Sequence, residues 1–230
     1  MLVQLLLVEY LNNTMTLQKN SLINAAKKIF QLGLNKGSSG NLSLRIEKNK
    51  YLITSSGCSL ENLQQDDIVT MSTNGSILHG KKPSSEWRIH SDLYNARDDI
   101  DAVIHTHSKY ACVLACLHRE LPSFHYMVAV AGGENIRCCP YALFGTNTLS
   151  NYVIEAMKDR SACLMANHGL IVGSSRLSHA IYIADEVESL CEQYVNALSV
   201  GEVKLLTKIQ MKKVLEKFKN YGTLGKEKND

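Results

Sequence analysis

Ala102-Val103-Ile104-His105-Thr106-His107-Ser108 is an apolar run that ends on two histidines two residues apart. On a strand this spacing puts both imidazoles on one face of a sheet, because successive side chains alternate faces. Two imidazoles on one face can reach one metal ion, and a catalytic metal site then needs a third protein ligand and an open position for substrate. His168 is the best candidate: Ala166-Asn167-His168-Gly169-Leu170 also follows an apolar strand-like run, and Gly169 permits a tight turn. Read alone, the pair fits equally well one ordinary surface histidine and one half-buried, hydrogen-bonded histidine.

Working outward, Pro83-Ser84-Ser85-Glu86 opens an amphipathic helix through Ala96, with Ser84 or Ser85 as cap and Glu86 in the first turn. A solvated first-turn acid is the ordinary reading of Glu86; hydroxyls facing a phosphate would carry it into the same pocket. Further upstream, Ser21 caps a helix through Leu32 with an apolar face of Leu22, Ala25, Ala26, Ile29 and Leu32. Gly37-Ser38-Ser39-Gly40-Asn41-Leu42-Ser43-Leu44 then sets glycines, hydroxyls and an amide before an alternating strand. Such a turn can present N–H groups and hydroxyls to a phosphate, but an ordinary glycine-rich loop looks similar, and the lysine of a nucleotide P-loop is missing. Tyr51 to Thr54 is a strand followed by the small-residue turn Ser55-Ser56-Gly57, and Ile68–Met71 pairs with Ile77-Leu78 through Asn74-Gly75. These antiparallel strands imply an α/β protein with a mixed sheet.

Downstream of the histidine pair, Ser108 to Leu117 continues as a short helix, and Phe124 to Ala131 is expected as a strand that Ala131-Gly132-Gly133 turns. Tyr126, near its start, is a core or interface aromatic, or in a metal pocket a phenol proton donor. Helices are expected over Thr148–Lys158, Leu177–Leu198 and Thr207–Lys219, with a strand at Ala162–Met165 leading to His168. His179 reads as a surface or supporting residue rather than a ligand. Tyr221 follows the last helix, where an aromatic could cover a site.

The 230 residues, 45% hydrophobic with only three prolines, can bury one sizeable core and argue against disorder. The net charge of +3 is mild and lies largely between Lys204 and Lys228, so no nucleic-acid partner is expected. Seven dispersed cysteines, an odd number, fit a reducing compartment rather than a disulfide scaffold, and a cytoplasmic protein is expected. Met1 to Val8 lacks a basic leader and is too short to span a membrane; residues 1–15 read as an N-terminal extension and 222–230 as a flexible tail.

Together these pieces resemble one family, the class II aldolase/adducin-like proteins. The resemblance rests on Gly37-Ser-Ser-Gly-Asn41, Ser56-Gly57, Pro83-Ser-Ser-Glu-Trp87, His105-Thr-His107, His125-Tyr-Met127 with Ala131-Gly-Gly133, Pro140-Tyr-Ala-Leu-Phe-Gly-Thr146, Asn167-His-Gly-Leu170 and Phe218-Lys-Asn-Tyr-Gly222, in the family order. It implies a single α/β domain with a central mixed, largely antiparallel sheet flanked by helices. It also implies one Zn2+ per subunit on His105, His107 and His168, with Glu86 beside the metal as acid/base. Phosphate surroundings at Ser38, Asn41, Ser56, Gly57, Ser84 and Ser85 follow from the same motifs, and Tyr126 and Tyr221 match active-site tyrosines. Tyr126 would come from a neighbouring subunit of a cyclic homotetramer with intersubunit active sites.

The reaction so implied is reversible aldol cleavage of L-fuculose 1-phosphate, a sugar phosphate, to dihydroxyacetone phosphate and L-lactaldehyde, with no Schiff-base lysine. A related deoxyketose-1-phosphate aldolase, a pentulose-phosphate 4-epimerase and a methylthioribulose-phosphate dehydratase are the enzyme alternatives. Glu86 weighs against the epimerase, whose relatives resemble a site with aspartate there. A noncatalytic adducin-like scaffold would have lost ligands that are present here.

Overall fold

The histidine-bearing run forms β5 (Ala102–Thr106) at the centre of one eight-stranded sheet. The computed structural model describes the backbone of residues 2–220 and the side chains of residues 13–218; Tyr221 and the expected tail lie outside the described residues. Before β5 come α1 (Leu2–Gln31), β1 (Asn41–Glu47), β2 (Lys50–Thr54), β3 (Ile68–Ser72), β4 (Ile77–His79) and α2 (Trp87–Ala96). After it come α3 (Lys109–Cys116), β6 (Cys138–Cys139), α4 (Asn147–Ala156), β7 (Ala162–Met165), β8 (Gly169–Ser174), α5 (Leu177–Val200) and α6 (Lys208–Asn220). The strand order is β4-β3-β2-β1-β5-β8-β7-β6, antiparallel throughout except for the parallel pair β6 and β7. The mixed, largely antiparallel α/β fold expected from the motifs is the one observed.

Period-two alternation divides β5 between two cores. Ala102 and Ile104 pack with Leu42, Leu170 and Val172 under α1, α3, α5 and α6, whereas Val103 packs with Tyr51, Ile171 and Met165 under α2 and α4. Each fully buried aliphatic side chain here contributes about 1.5–3 kcal/mol relative to exposure. His105 follows Val103 onto the α2 side, and β1 presents Asn41 opposite His105 and Ser43 opposite Val103. The sheet therefore carries polar groups into the layer beneath α2.

Three expectations are corrected. Phe124–Ala131 is not a strand: Tyr126–Ala131 is a 3-10 helix ended by Gly132 in the left-handed region, at φ +85°. Val128 to Ala131 are consecutively buried, so they plug the α5 and α6 core as a block and cannot alternate as a half-buried strand would. Ser21 does not cap a helix either, because α1 runs without a glycine or proline from Leu2 to Gln31 and absorbs most of the expected extension. Ser84 and Ser85 precede α2 without capping it; Glu86 holds the cap position, and the Ser84 hydroxyl accepts from Glu86 N at 3.3 Å. The Asn74-Gly75 turn is present within a four-residue connection, with Gly75 at φ +93°. Among the described residues no helix is long and apolar enough to cross a membrane.

Candidate active site

His105 is the penultimate residue of the wholly buried β5, and the exposed His107 follows where the strand stops at Thr106. Asn35, from the loop after α1, fixes this exit: its Oδ1 accepts from His107 N at 2.7 Å and its Nδ2 donates to His105 O at 3.4 Å. Gly40 lets Asn35 approach, since a Cβ there would lie 2.1 Å from Asn35 Nδ2 and 2.6 Å from His105 O. His168 comes from the tight turn between β7 and β8, where Asn167 is left-handed at φ +54° and His168 N donates to Met165 O at 3.0 Å. At Gly169 a Cβ would sit 2.4 Å from Thr106 O, so the turn requires glycine to press against β5.

Glu86 joins these three imidazoles from the amino end of α2, and one donor atom from each of the four residues lies within 4.8 Å of the others. His105 Nδ1 donates to Leu170 O at 2.9 Å, which leaves Nε2 facing His107 Nε2 at 2.9 Å and Glu86 Oε2 at 3.2 Å. Glu86 Oε1 is buried without a hydrogen-bond partner, although His168 Nε2 is 3.1 Å away. Burial works against the Glu86 carboxylate, but His105 and His168 outweigh it and hold its pKa well below the usual range. Burial likewise opposes charge on His105, yet Glu86 raises its pKa, while burial and the neighbouring His105 and His168 press His107 down to about 4. In the metal-free cluster Glu86 thus favours the protonated form of His105, in the place where a cation would balance the carboxylate. Converging Nε2 atoms, a carboxylate with an orphaned oxygen and a backbone carbonyl orienting one ring fit a divalent metal ion.

Beside the cluster lies a cavity of about 350 Å3 lined by Ser38, Gly40, Asn41, Ser55, Ser56, Gly57, Ser84, Ser85, Glu86, His107 and His168, with Tyr141, Ala142 and Phe144 on an apolar side. The serine-rich turns are drawn together by backbone bonds: Ser56 N donates to Lys82 O at 3.0 Å and Ser84 N to Thr54 O at 3.0 Å. Among its lining residues there is no lysine or arginine, so an anion here would be held by neutral donors and the amino end of α2. All six expected phosphate-side residues line this cavity. Asn41, however, turns its amide to Glu86, with Nδ2 donating to Oε2 at 3.0 Å.

Tyr126 is 51% exposed and does not line the cavity of its own chain, and Tyr221 lies outside the described residues. His179 is bonded to Ser174 Oγ at 2.8 Å and is not part of the cluster. Asn35, Ser43 and His90 were not expected at the site. The last two bond each other at 2.6 Å beneath Asn41, and their sequence signal is the spacing of polar residues along β1 and α2.

The Class II Aldolase and Adducin N-terminal domain family matches residues 20–195. A 5-methylthioribulose-1-phosphate/5-deoxyribulose-1-phosphate aldolase of Rhodospirillum rubrum is 48% identical over 204 residues, covering 89% of this chain and 92% of the relative. An L-fuculose phosphate aldolase of Escherichia coli K12 is 42% identical over 202 residues, covering 87% and 94%. Among solved structures, an L-fuculose 1-phosphate aldolase superposes with a TM-score of 0.85 at 44% identity, covering 88% of this chain and 96% of that one. With the family match spanning most of the fold and the relatives spanning nearly all of it, the chain belongs to the class II aldolase and adducin family.

Proposed function

We propose that this protein is a metal-dependent ketose-1-phosphate aldolase that reversibly cleaves the C3–C4 bond of a deoxyketose 1-phosphate to dihydroxyacetone phosphate and a short aldehyde. The carrying observation is the Glu86, His105, His107 and His168 cluster opening onto a cavity of small hydroxyl residues. L-fuculose 1-phosphate, 5-deoxyribulose 1-phosphate and 5-methylthioribulose 1-phosphate share carbons 1 to 3 and differ in the aldehyde: lactaldehyde, acetaldehyde or methylthioacetaldehyde. The 48% identical relative favours the two five-carbon substrates over L-fuculose 1-phosphate. Tyr141, Ala142 and Phe144 supply an apolar wall suited to the methyl or methylthio end that all three carry.

In this reading His105, His107 and His168 hold a Zn2+ ion, with Glu86 beside it. The bound ion supplies Lewis-acid stabilisation of the negative charge that develops on the ketone oxygen. Ser38, Ser56, Gly57, Ser84 and Ser85 anchor the phosphate through hydroxyl and N–H donors, so binding energy at the unreactive end orients C3 and C4. Glu86, held ionised, exchanges the proton at C3 of the three-carbon fragment. Tyr126 of a neighbouring subunit exchanges the proton at the aldehyde oxygen, and Tyr221 covers the site, which makes a homotetramer the working unit.

Incubating zinc-loaded protein with each ketose 1-phosphate and following dihydroxyacetone phosphate tests this function. Release from at least one substrate, abolished by a chelator and restored by zinc, is expected. No dihydroxyacetone phosphate from any of the three would reject the aldolase.

A further inference from the structure

Beneath the cluster, a buried line of polar groups connects Glu86 to the far end of α2. Asn41 Nδ2 donates to Glu86 Oε2 at 3.0 Å; Asn41 Oδ1 lies 2.5 Å from His90 Nε2; His90 Nδ1 lies 2.6 Å from Ser43 Oγ; and Ser43 Oγ lies 2.6 Å from Tyr94 OH. His90 and Ser43 are wholly buried, Tyr94 is 2% exposed and Asn41 3%. The residues alternate between two elements: Asn41 and Ser43 share one face of β1, while Glu86, His90 and Tyr94 recur every fourth residue along α2.

The direction of every bond in this line is determined from one end. An ionised carboxylate only accepts, so the Asn41 amide must face it with Nδ2. Oδ1 then requires a donor, which makes His90 the Nε2–H tautomer. Nδ1 is left as an acceptor and takes the Ser43 hydroxyl proton, and Ser43 Oγ in turn accepts from Tyr94. The two titratable groups beyond Asn41 suit this polarity: burial, and then His105, push His90 down to about 3, so it stays neutral, and burial raises Tyr94 so that it keeps its proton.

We propose, resting on the aldolase function above, that His90 is a positioning residue: its Nε2–H locks the Asn41 amide so that Asn41 holds Glu86 Oε2, leaving Oε1 as the oxygen that exchanges the substrate proton. Oε1 is the oxygen that Asn41 does not hold; it lies 3.1 Å from His168 Nε2, on the side of the cluster. Released from His90, the amide can rotate and put Oδ1 against the carboxylate, which swings Glu86 off its aim. Asn41 thereby acts on the proton-transfer group rather than chiefly on the phosphate.

Two substitutions of similar size separate positioning from filling space. Glutamine at 90 places an amide N–H near the Nε2 position, whereas asparagine reaches only the Nδ1 position and leaves Asn41 without its donor. With zinc-loaded enzyme, H90N is expected to lower kcat about 30-fold or more, a large part of what a positioned acid/base group supplies, with KM and zinc content within about twofold. H90Q is expected to recover kcat to within about threefold of wild type. Equal losses in both variants, or a loss borne by KM alone, would overturn the proposal.

The second readout needs neither metal nor turnover: long-range 1H–15N correlation spectra of the metal-free protein should show His90 neutral and protonated at Nε2 at pH 7. An Nδ1–H tautomer or an imidazolium overturns the proposal, including when H90N fails to fold. If wild type releases no dihydroxyacetone phosphate, the aldolase function fails while the tautomer result still decides how the Asn41 amide is held.

Discussion

Glu86 is the residue on which metal binding and proton transfer meet, and they separate in the conservative amide. E86Q keeps the size of the side chain and an oxygen beside the histidines but has no charge with which to take a proton. It is expected to retain zinc content close to wild type, measured by plasma emission, and to lose about 10²- to 10⁴-fold in kcat; equal turnover would reject the base assignment. A different test concerns His90, whose folded pKa of about 3, depressed by burial and then His105, lies below the ordinary histidine value of 6.5. The unfolded chain therefore binds the proton first as pH falls, so this part of the stability is intact above about 6.5 and is lost between about 6.5 and about 3. Urea unfolding of the metal-free protein should show stability falling more steeply below pH 6 in wild type than in H90Q, by up to about 1.4 kcal/mol per pH unit. His107, pressed down to about 4 by burial and by His105 and His168, adds the same sign in both proteins and so leaves the comparison intact. Identical slopes would show that His90 is not carried neutral into the fold. At this scale the metal histidines were legible because a two-residue spacing on a strand is a local signal. Ser43 and His90 were not, since a lone serine or histidine is ordinary; only jointly, as Asn41 and Ser43 alternating with Leu42 and Leu44 and as Glu86, His90 and Tyr94 along a helix, do they mark a buried polar seam.

Among the elements, β5 shows how a strand end is made rigid enough to bear ligands. Two backbone groups at this exit, His105 O and His107 N, are both taken up by the Asn35 amide. The 2.7 Å bond to His107 N is the stronger of the two, and Asn35 is only 2% exposed. Asn35→Ala removes the acceptor of His107 N and the second donor to His105 O, and should cost about 1–3 kcal/mol in urea unfolding. Because it also frees the strand exit, zinc affinity in a competitive chelator titration should fall by about tenfold or more, in the range seen when groups that orient metal ligands are removed; unchanged affinity would show that β5 holds its histidines without the clamp. Most elements were legible from periodicity, including α5 with its stripe of Ala184, Val187, Leu190 and Cys191. The segment Phe124–Ala131 was not, because four small or branched apolar residues in succession satisfy the composition of a strand and only tertiary packing decides that they enter a core as a 3-10 turn. The helical continuity of α1 through Ser21 was also hidden, since a capping residue marks a start only when the residues before it leave the helix.

For the whole molecule, the mixed, largely antiparallel sheet was foreseeable, whereas the short β6 and the strand β8 beside β5 were not, and a single chain's sequence does not display which surfaces meet another copy. Tyr126, Tyr141, Leu143 and Phe144 are each more than half exposed, and Tyr141 and Phe144 stand at the rim of the cavity. Tyr126 sits on a different surface element, at the start of the 3-10 helix, and does not line this cavity, so its proposed role requires it to come from another subunit. The proposed tetramer predicts a mass in light scattering four times the 25.6 kDa of one chain; an active monomer would defeat it. Mass alone does not show that sites are shared, and complementation does. E86Q and Y126F should each be nearly inactive as homo-oligomers. Unfolded and refolded together, or co-expressed, they form mixed tetramers in which some sites pair the intact Glu86 of a Y126F subunit with the intact Tyr126 of an E86Q neighbour. Random assembly around a closed ring makes about a quarter of the sites wholly wild type, so the mixture should recover activity on that scale while the separately prepared proteins, mixed without exchange, should not. Recovery absent from verified hybrids would place Tyr126 outside the neighbour's chemistry, because hybrid formation alone brings no new residue into a site that each subunit builds for itself.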